Sequence, residues 1–328
     1  VGYQSLFMVA SWEAVEAISL KIKLYIWGEI MRASVSICTH NRAIDTMQAV
    51  ESVLNGDMGS ADYEILVIDN NSTDNTKELF DSLNMPAHVR YIFEPQLGLS
   101  YARNRAIKEA KGEFVLFLDD DALACSTWIK EVVRIFDMDS RIGCVGGKIV
   151  PIWEGGKPDW IPHDIVSLYT LMDFSSEIVE MHAPSIPFGA NVAFRRSIFQ
   201  QIKPFREDLG RVGSNLMSSE ESELIGRVRL EYKVFYSPYA IVEHKIAKSR
   251  LTKRWLLRRV YWQGISDATR YKKSGWGIFK HTVRIVQAAL LILISFNNVQ
   301  KVMSEMAKIS YRNGTIVGSF RNSRGLNP

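Results

Sequence analysis

The stretch FVLFLDDDALA, Phe114–Ala124, runs five apolar residues into three aspartates and then turns apolar again. A short run that is apolar on both faces reads as a central strand of a parallel sheet, covered on each side by helices. The three carboxylates then stand where that strand leaves the sheet. Like charges at such a place are costly unless a cation joins them. If the strand's alternation continues past its end, Asp119 and Asp121 face one side and Asp120 the other.

The flanking sequence repeats the strand pattern. SVSICT, YEILVID and VRYIFE read as three earlier strands, from residue 34 onward. AIDTMQAVESVL between them has helical spacing, with Ile44, Met47, Val50, Val53 and Leu54 on one side. STDNTKELFDSL opens on cap residues and reads as a helix. SYARNRAIKEAKG reads as a helix capped by Ser100 and stopped at Gly112. Strands alternating with single helices imply right-handed crossovers and a mostly parallel central sheet flanked by helices. Such sheets bind ligands beyond the carboxyl ends of their strands.

Past residue 150 the pattern loosens. PIWEGGKPDWIPHD reads as a loop, FGANVAFRRSIF as a strand entering a helix, and SSEESELIGRVRL as a helix with Ser218 or Ser219 at its cap. YKVFYSP and YAIVEH read as two short strands. The expected divisions are an N-terminal extension over 1–30, a catalytic domain over 31–248 and a helical region over 249–328. Met31 is the expected native start.

The balance of 47% hydrophobic and 23% charged residues is that of a globular chain, not a disordered one. Cys38, Cys125 and Cys144 are scattered, form no CxxC pair, and read as packing residues. The net charge of +4 is unevenly placed, because Lys and Arg crowd residues 245–284. A solvated helix face is the plain explanation. An anionic membrane surface, a nucleic acid or a polyanionic substrate is the functional one. Of these, a membrane surface is expected over the whole chain, with no nucleic-acid partner. IVQAALLILISF, only 12 residues long, is too short to span a bilayer and reads as an interfacial or buried helix.

Three strand ends carry polar groups: THNR at Thr39–Arg42, DNNSTD at Asp69–Asp74, and the aspartate triplet. A single Asp after a strand is usually a turn or cap residue. Three such places, one of them a triple carboxylate, point instead to a hard divalent ion, Mg²⁺ or Mn²⁺. These ions keep positions open for phosphates, which suggests a nucleotide with a diphosphate.

In VSICTHNR, ILVIDNNSTDNT, GLSYARNRAIKEAKGEFVLFLDDDA, PFGANVAFRRSIF and EESELIGRVRLEYKVFYSPYAIVEH, in that order, the sequence resembles the family-2 glycosyltransferases. These are inverting enzymes of the GT-A fold, and some build bacterial surface polysaccharides. The resemblance covers roughly residues 34–245. It implies an α/β GT-A domain followed here by a C-terminal helical region. It implies that Asp69 contacts the donor's base, commonly uracil, that Thr39, Asn41 and Arg42 line the base pocket, and that Asn71 lies on the donor side. Arg103 would sit near the nucleotide. Asp119 would serve the ribose or sugar and the metal, Asp121 the metal, and Asp120 a secondary donor role. Gly189 and Asn191 would shape the sugar and acceptor end. His244 would assist the metal or the diphosphate. The acidic pair at the late helix is Glu220-Glu221 where the family often has Glu-Asp. Glu221 aligns with the catalytic base, with Glu220 or Glu223 as substitutes. Arg250 and KRWLLRRVYWQG could touch the diphosphate or an anionic acceptor, and Trp255, Tyr261 and Trp262 a sugar or a lipid interface.

The expected activity is transfer from a nucleotide-sugar, a UDP-sugar by the resemblance, to a glycan or lipid-linked acceptor. The expected location is cytoplasmic and peripheral, at the inner face of the plasma membrane. A sugar nucleotidyltransferase would need a Gly-rich basic loop after the first strand, where THNRAIDT has no Gly. A non-catalytic, membrane-associated carbohydrate-binding protein would not need Asp69, Asp119, Asp121 and Glu221 together.

Overall fold

The computed structural model describes residues 31–60, 62–213, 215–271, 278–295 and 297–323. The extension expected over 1–30 lies outside them. The first half alternates β1 (Ala33–Thr39), α1 (Ala43–Leu54), β2 (Tyr63–Asp69), α2 (Thr76–Ser82), β3 (Val89–Phe93), α3 (Leu99–Glu109) and β4 (Phe114–Asp119). Then follow β5 (Ala122–Ala124), α4 (Trp128–Met138), β6 (Ile142–Trp153), β7 (Val179–Glu180), β8 (Asn191–Arg195), α5 (Glu220–Val228) and β9 (Lys233–Ile246). Helices α6 (Lys253–Arg270), α7 (Ile278–Ile294) and α8 (Val299–Ser323) close the chain.

The strands form one sheet in the order β3-β2-β1-β4-β8-β6-β9-β5, with β7 paired to β9. Strands β3, β2, β1 and β4 run parallel to one another, and β8 is antiparallel to β4. Every residue of β2 is buried. Its alternation splits the core in two, with Tyr63, Ile65 and Val67 in one apolar layer and Leu66 and Ile68 in the other. Strand β4 does the same, with Phe114, Leu116 and Leu118 opposite Val115 and Phe117. This two-faced burial is what a parallel sheet covered by helices requires.

Three elements differ from their sequence reading. Helix α1 has the expected range but is rotated. It buries Ala43, Thr46, Ala49, Val50 and Val53, while Ile44 is 71% exposed, because the close approach to the sheet favours small residues. Helix α3 begins at Leu99 with Gly98 at its cap, so Ser100 is inside it and donates to the Leu209 carbonyl at 2.7 Å. Gly112 lies past the helix end, against β1, where a Cβ would stand 2.5 Å from the Ala33 backbone. YKVFYSP and YAIVEH form one strand, β9, interrupted by a register shift: Gly147 pairs with Ser237 and Lys148 with Ile241. The sequence divided there because Pro238 cannot donate to a ladder.

Candidate active site

The carboxyl ends of β1, β2 and β4 open into one cavity of about 220 Å³. The aspartate triplet forms its floor, and the three carboxylates have separate partners. Asp119 accepts from Arg103 Nη2 at 3.3 Å. Asp120 turns toward α1, accepting from Thr39 Oγ1 at 3.0 Å and Arg42 Nη1 at 3.2 Å. Asp121 is the most buried of the three and is ringed by cations. Arg42 Nη1 and Arg250 Nη2 reach its Oδ2 at 2.5 and 2.8 Å, and His244 Nε2 lies 3.2 Å from its Oδ1. Burial alone would raise the Asp121 carboxyl. The bond from His244 and the charges of His244, Arg250 and Arg42 outweigh it and hold the group well below the usual carboxylate range. Asp120 moves the other way: burial and its acidic neighbours push it up to about 7, against the pull of Arg42.

Arg103 is the hinge between this floor and the far wall. It is 3% exposed, and its Nη1 donates to Glu220 Oε1 at 2.8 Å while Nη2 reaches Asp119. The guanidinium occupies the space beside Gly189, where a Cβ would stand 2.3 Å from Nη2. Gly189 is therefore required by the arginine. Burial and the neighbouring Glu221 raise Glu220, and Arg103 opposes them. Ser219 caps α5 with a left-handed backbone, φ +76°, and makes no side-chain cap bond. From there the three glutamates diverge. Glu220 and Glu221 both line the cavity with a buried, unpartnered Oε2, but Glu220 Oε1 accepts from Arg103. Glu223 binds Arg227 one turn on and does not line the cavity. Of the two substitutes for the base, Glu220 is drawn to Arg103 and Glu223 to Arg227.

On the β2 side, Asp69 is buried, accepting from the Ser72 backbone at 2.9 Å and from the Tyr91 hydroxyl. Asn41, at φ +58°, uses its Oδ1 to accept from the backbone of Thr73 and Asp74 at 2.6 and 3.1 Å. It ties the β1 and β2 loops together. Asn71 also has a left-handed backbone, φ +60°, and is exposed outside the cavity lining. Asn70, which the sequence reading passed over, lines the cavity and fixes the turn into α3 by accepting from Gly98 N at 2.7 Å.

Asn191 lies behind the cavity wall. Its amide donates to Lys148 O and Ala240 O at 3.0 and 2.8 Å and accepts from Trp128 Nε1 at 2.8 Å. The bond to Ala240 O satisfies a carbonyl of a residue that the register shift leaves outside the ladder.

The carboxyl-terminal helices belong to the same packed body. Arg250 reaches the floor, and Arg259 of α6 lines the cavity. Leu256 and Val260 share a core with Ile161, Tyr169 and Ile246, so no break in packing falls at residue 248. Trp255 stacks on Tyr169 at 5.2 Å, within that core. Arg211 also lines the cavity and had no signature in the sequence.

Asp119, Asp121 and His244 each offer one ligand atom, all within 4.8 Å of one another. Two carboxylate oxygens and an imidazole nitrogen suit Mg²⁺ or Mn²⁺. The guanidiniums take Asp121 Oδ2 and leave Oδ1 to face His244. With the ring proton on Nδ1 instead, Nε2 would turn a lone pair toward Oδ1, and a cation between them would satisfy both. The residues present therefore fit a divalent ion.

Comparison with known proteins points the same way. Residues 34–203 match the family model Glycosyl transferase family 2. A glucosyl-dolichyl phosphate glucuronosyltransferase of Haloferax volcanii is 28% identical over 246 residues, 72% of this chain and 76% of that protein. Among solved structures, a mannosyltransferase of Pyrobaculum calidifontis, in complex with GDP-Man and Mn²⁺, superposes with a TM-score of 0.57 at 16% identity. The match covers 91% of this chain and 98% of that one. TarS 1-349 of S. aureus in complex with UDP superposes with a TM-score of 0.53 at 16% identity, over 90% and 92% of the two chains. These likenesses show a shared fold. With the family match covering more than half of its length, the chain belongs to glycosyl transferase family 2 and is a glycosyltransferase.

Proposed function

We propose that the protein moves a sugar from a nucleoside-diphosphate donor, most simply a UDP-sugar, to a hydroxyl of a lipid-linked glycan, with inversion at the anomeric carbon. The observation that carries this reading is one cavity lined by Asp119, Asp121 and Glu221, with His244 behind Asp121. Asp119, Asp121 and His244 would hold Mg²⁺ or Mn²⁺, which supplies charge neutralisation to a leaving diphosphate. Thr39, Asn70 and the β1–α1 loop shape the donor end of the cavity. Glu221, with a free carboxylate oxygen, takes the proton of the attacking hydroxyl. General-base help of this kind is worth about 10²–10⁴-fold. Arg103 bonds both Asp119 and Glu220, and so keeps the metal-binding floor and the wall that carries Glu221 in fixed relation. Positioning of this kind supplies much of the remaining rate.

The Haloferax volcanii relative is named for a dolichyl phosphate acceptor, which favours a lipid-linked acceptor over a free glycan. Helix α7 fits work at a membrane. Val286, Leu290, Leu293 and Ile294 are 54–75% exposed, and Lys280 and Arg284 on the same helix are exposed too. No helix among the described residues is long and apolar enough to cross a membrane. The occupant proposed for this face is an anionic bilayer at the cytoplasmic side, which attracts each Lys or Arg near its surface by roughly 1 kcal/mol. A role in surface-polysaccharide synthesis follows from the resemblance.

The test is nucleoside diphosphate release from a panel of UDP- and GDP-sugars, with an acceptor mixture of lipid-linked glycans. Release is expected with one donor in Mn²⁺ or Mg²⁺ and is lost in EDTA. Absence of metal-dependent turnover with every donor would sink the reading and favour a binding module.

A further inference from the structure

Four arginines line the cavity and a fifth, Arg250, reaches its floor, and they are not equivalent. Arg42 and Arg250 are neutralised by the aspartate floor, and Arg103 by Asp119 and Glu220. Arg259 is different: its recorded polar contact is Nη1 to the neutral Gln263 Oε1 at 3.0 Å. Among the described residues, neither Arg211 nor Arg259 has a carboxylate within ion-pair distance. Burial and the nearby charge of Arg211 pull the Arg259 guanidinium down to about 10. Two cations in one cavity, with no carboxylate paired directly to either, form an arrangement that an oxyanion would relieve.

Both positions are built rather than loose. Arg211 follows Gly210, at φ +89°, and its carbonyl accepts from Leu99 N at 2.8 Å, which fixes it to the head of α3. Arg259 is held from behind by a relay. Tyr311 donates to Asp267 at 2.7 Å, Gln263 Nε2 donates to Asp267 at 3.1 Å, and Arg259 donates to Gln263. Glu220 and Glu221 are the carboxylates whose charge Arg259 feels, together with Asp267 behind it, whereas Arg250 and Arg42 serve Asp121. Arg259 is therefore on the side of the proposed base, and Arg211 lies near enough to feel both Arg259 and Arg250.

The geometry points to an anion subsite formed by Arg211 and Arg259 that takes a phosphoryl group of the acceptor, the phosphate joining its sugar to a lipid. This rests on the transferase reading of the cavity, and it assigns the pair to the acceptor instead of the donor's diphosphate. Helix α6, which carries Arg259, packs on α8, which packs on the exposed apolar helix α7. A lipid phosphate held at α6 would thus lie on the helical layer that also offers a face to a bilayer.

The experiment uses the full chain, saturated with UDP or GDP, whichever binds, and Mn²⁺. Farnesyl monophosphate is titrated by calorimetry, with farnesol as the neutral control. The wild type is expected to bind farnesyl phosphate in the presence of the nucleotide. Arg211→Ala and Arg259→Gln are expected to weaken it tenfold or more, with nucleotide affinity within about twofold of wild type. Arg259→Lys, which keeps the charge, should retain part of the binding, and melting curves establish that each variant is folded. Displacement of farnesyl phosphate by the nucleotide, or an equal loss of nucleotide affinity, would assign the pair to the donor and overturn the proposal. So would unchanged farnesyl phosphate binding in Arg211→Ala. If neither nucleotide binds, the transferase reading fails, while the farnesyl phosphate titration still reads the arginine pair.

Discussion

At the scale of single residues, neighbours in sequence have different surroundings, and their substitution should separate them. Asp121→Asn removes a buried charge that two arginines and a histidine converge on. It is expected to abolish metal-dependent turnover, whereas Asp120→Asn, which loses only contacts to Thr39 and Arg42, should be the mildest of the three. Steady-state rates across a Mn²⁺ titration check the order. Glu221→Gln is expected to lower kcat by about 10²–10⁴-fold, the usual worth of a general base, with nucleotide affinity kept. Glu220→Ala acts differently. It leaves Arg103 buried with only Asp119, and stranding a buried charge costs about 3–5 kcal/mol, so its melting temperature should fall well below that of Glu221→Ala. The aspartate triplet was legible in the sequence because strand alternation is local. That Arg42 and Arg250 close on Asp121 was not, since Arg250 lies 129 residues away in the chain.

At the scale of elements, close packing rests on missing side chains. Helices α6 and α8 cross where Gly264 and Gly314 face each other's backbones. A Cβ at Gly314 would stand 1.9 Å from the Tyr261 carbonyl. Gly314→Ala would gain about 1 kcal/mol of helix propensity. The crossing must open to admit the methyl, and overpacking typically costs about 1–3 kcal/mol. A net loss of thermal stability is expected, with weaker farnesyl phosphate binding as α6 shifts Arg259. Gly189→Ala is the corresponding case at the cavity, where it displaces Arg103 and should lower kcat more than nucleotide affinity. The order of strands and helices through β4 could be read from periodicity, since each is a local pattern. Strand β6 could not, because Gly143, Gly146 and Gly147 weaken any strand signal. Those glycines admit Tyr232, Pro187 and Asn191 from distant segments.

At the scale of the whole molecule, the carboxyl-terminal helices both line the active cavity and carry the exposed apolar face proposed to meet a membrane. Cutting the chain near residue 248 would remove Arg250, Arg259 and a shared core, so it is a poor test of membrane binding. Leu290→Ser, Leu293→Ser and Ile294→Ser together touch only exposed positions. This triple variant is expected to stay in the supernatant when sedimented with anionic vesicles that pull down the wild type, with nucleotide affinity and melting temperature unchanged. Sedimentation equal to wild type would place the membrane contact elsewhere.

Local rules were enough to read the parallel α/β core, the convergence of Asp119 and Asp121, the need for a cation, and the acidic pair that opens α5. Each follows from side-chain period or from charge at a strand end, which a short window contains. Folding supplied the assignments that depend on chain segments meeting. It drew Glu220 and Glu223 to different arginines, turned Asn191 from the cavity to the gap in the β9 ladder, and brought Arg211 and Arg259 together beside Glu221. Burial and partner charge set those roles, and both are properties of the packed molecule.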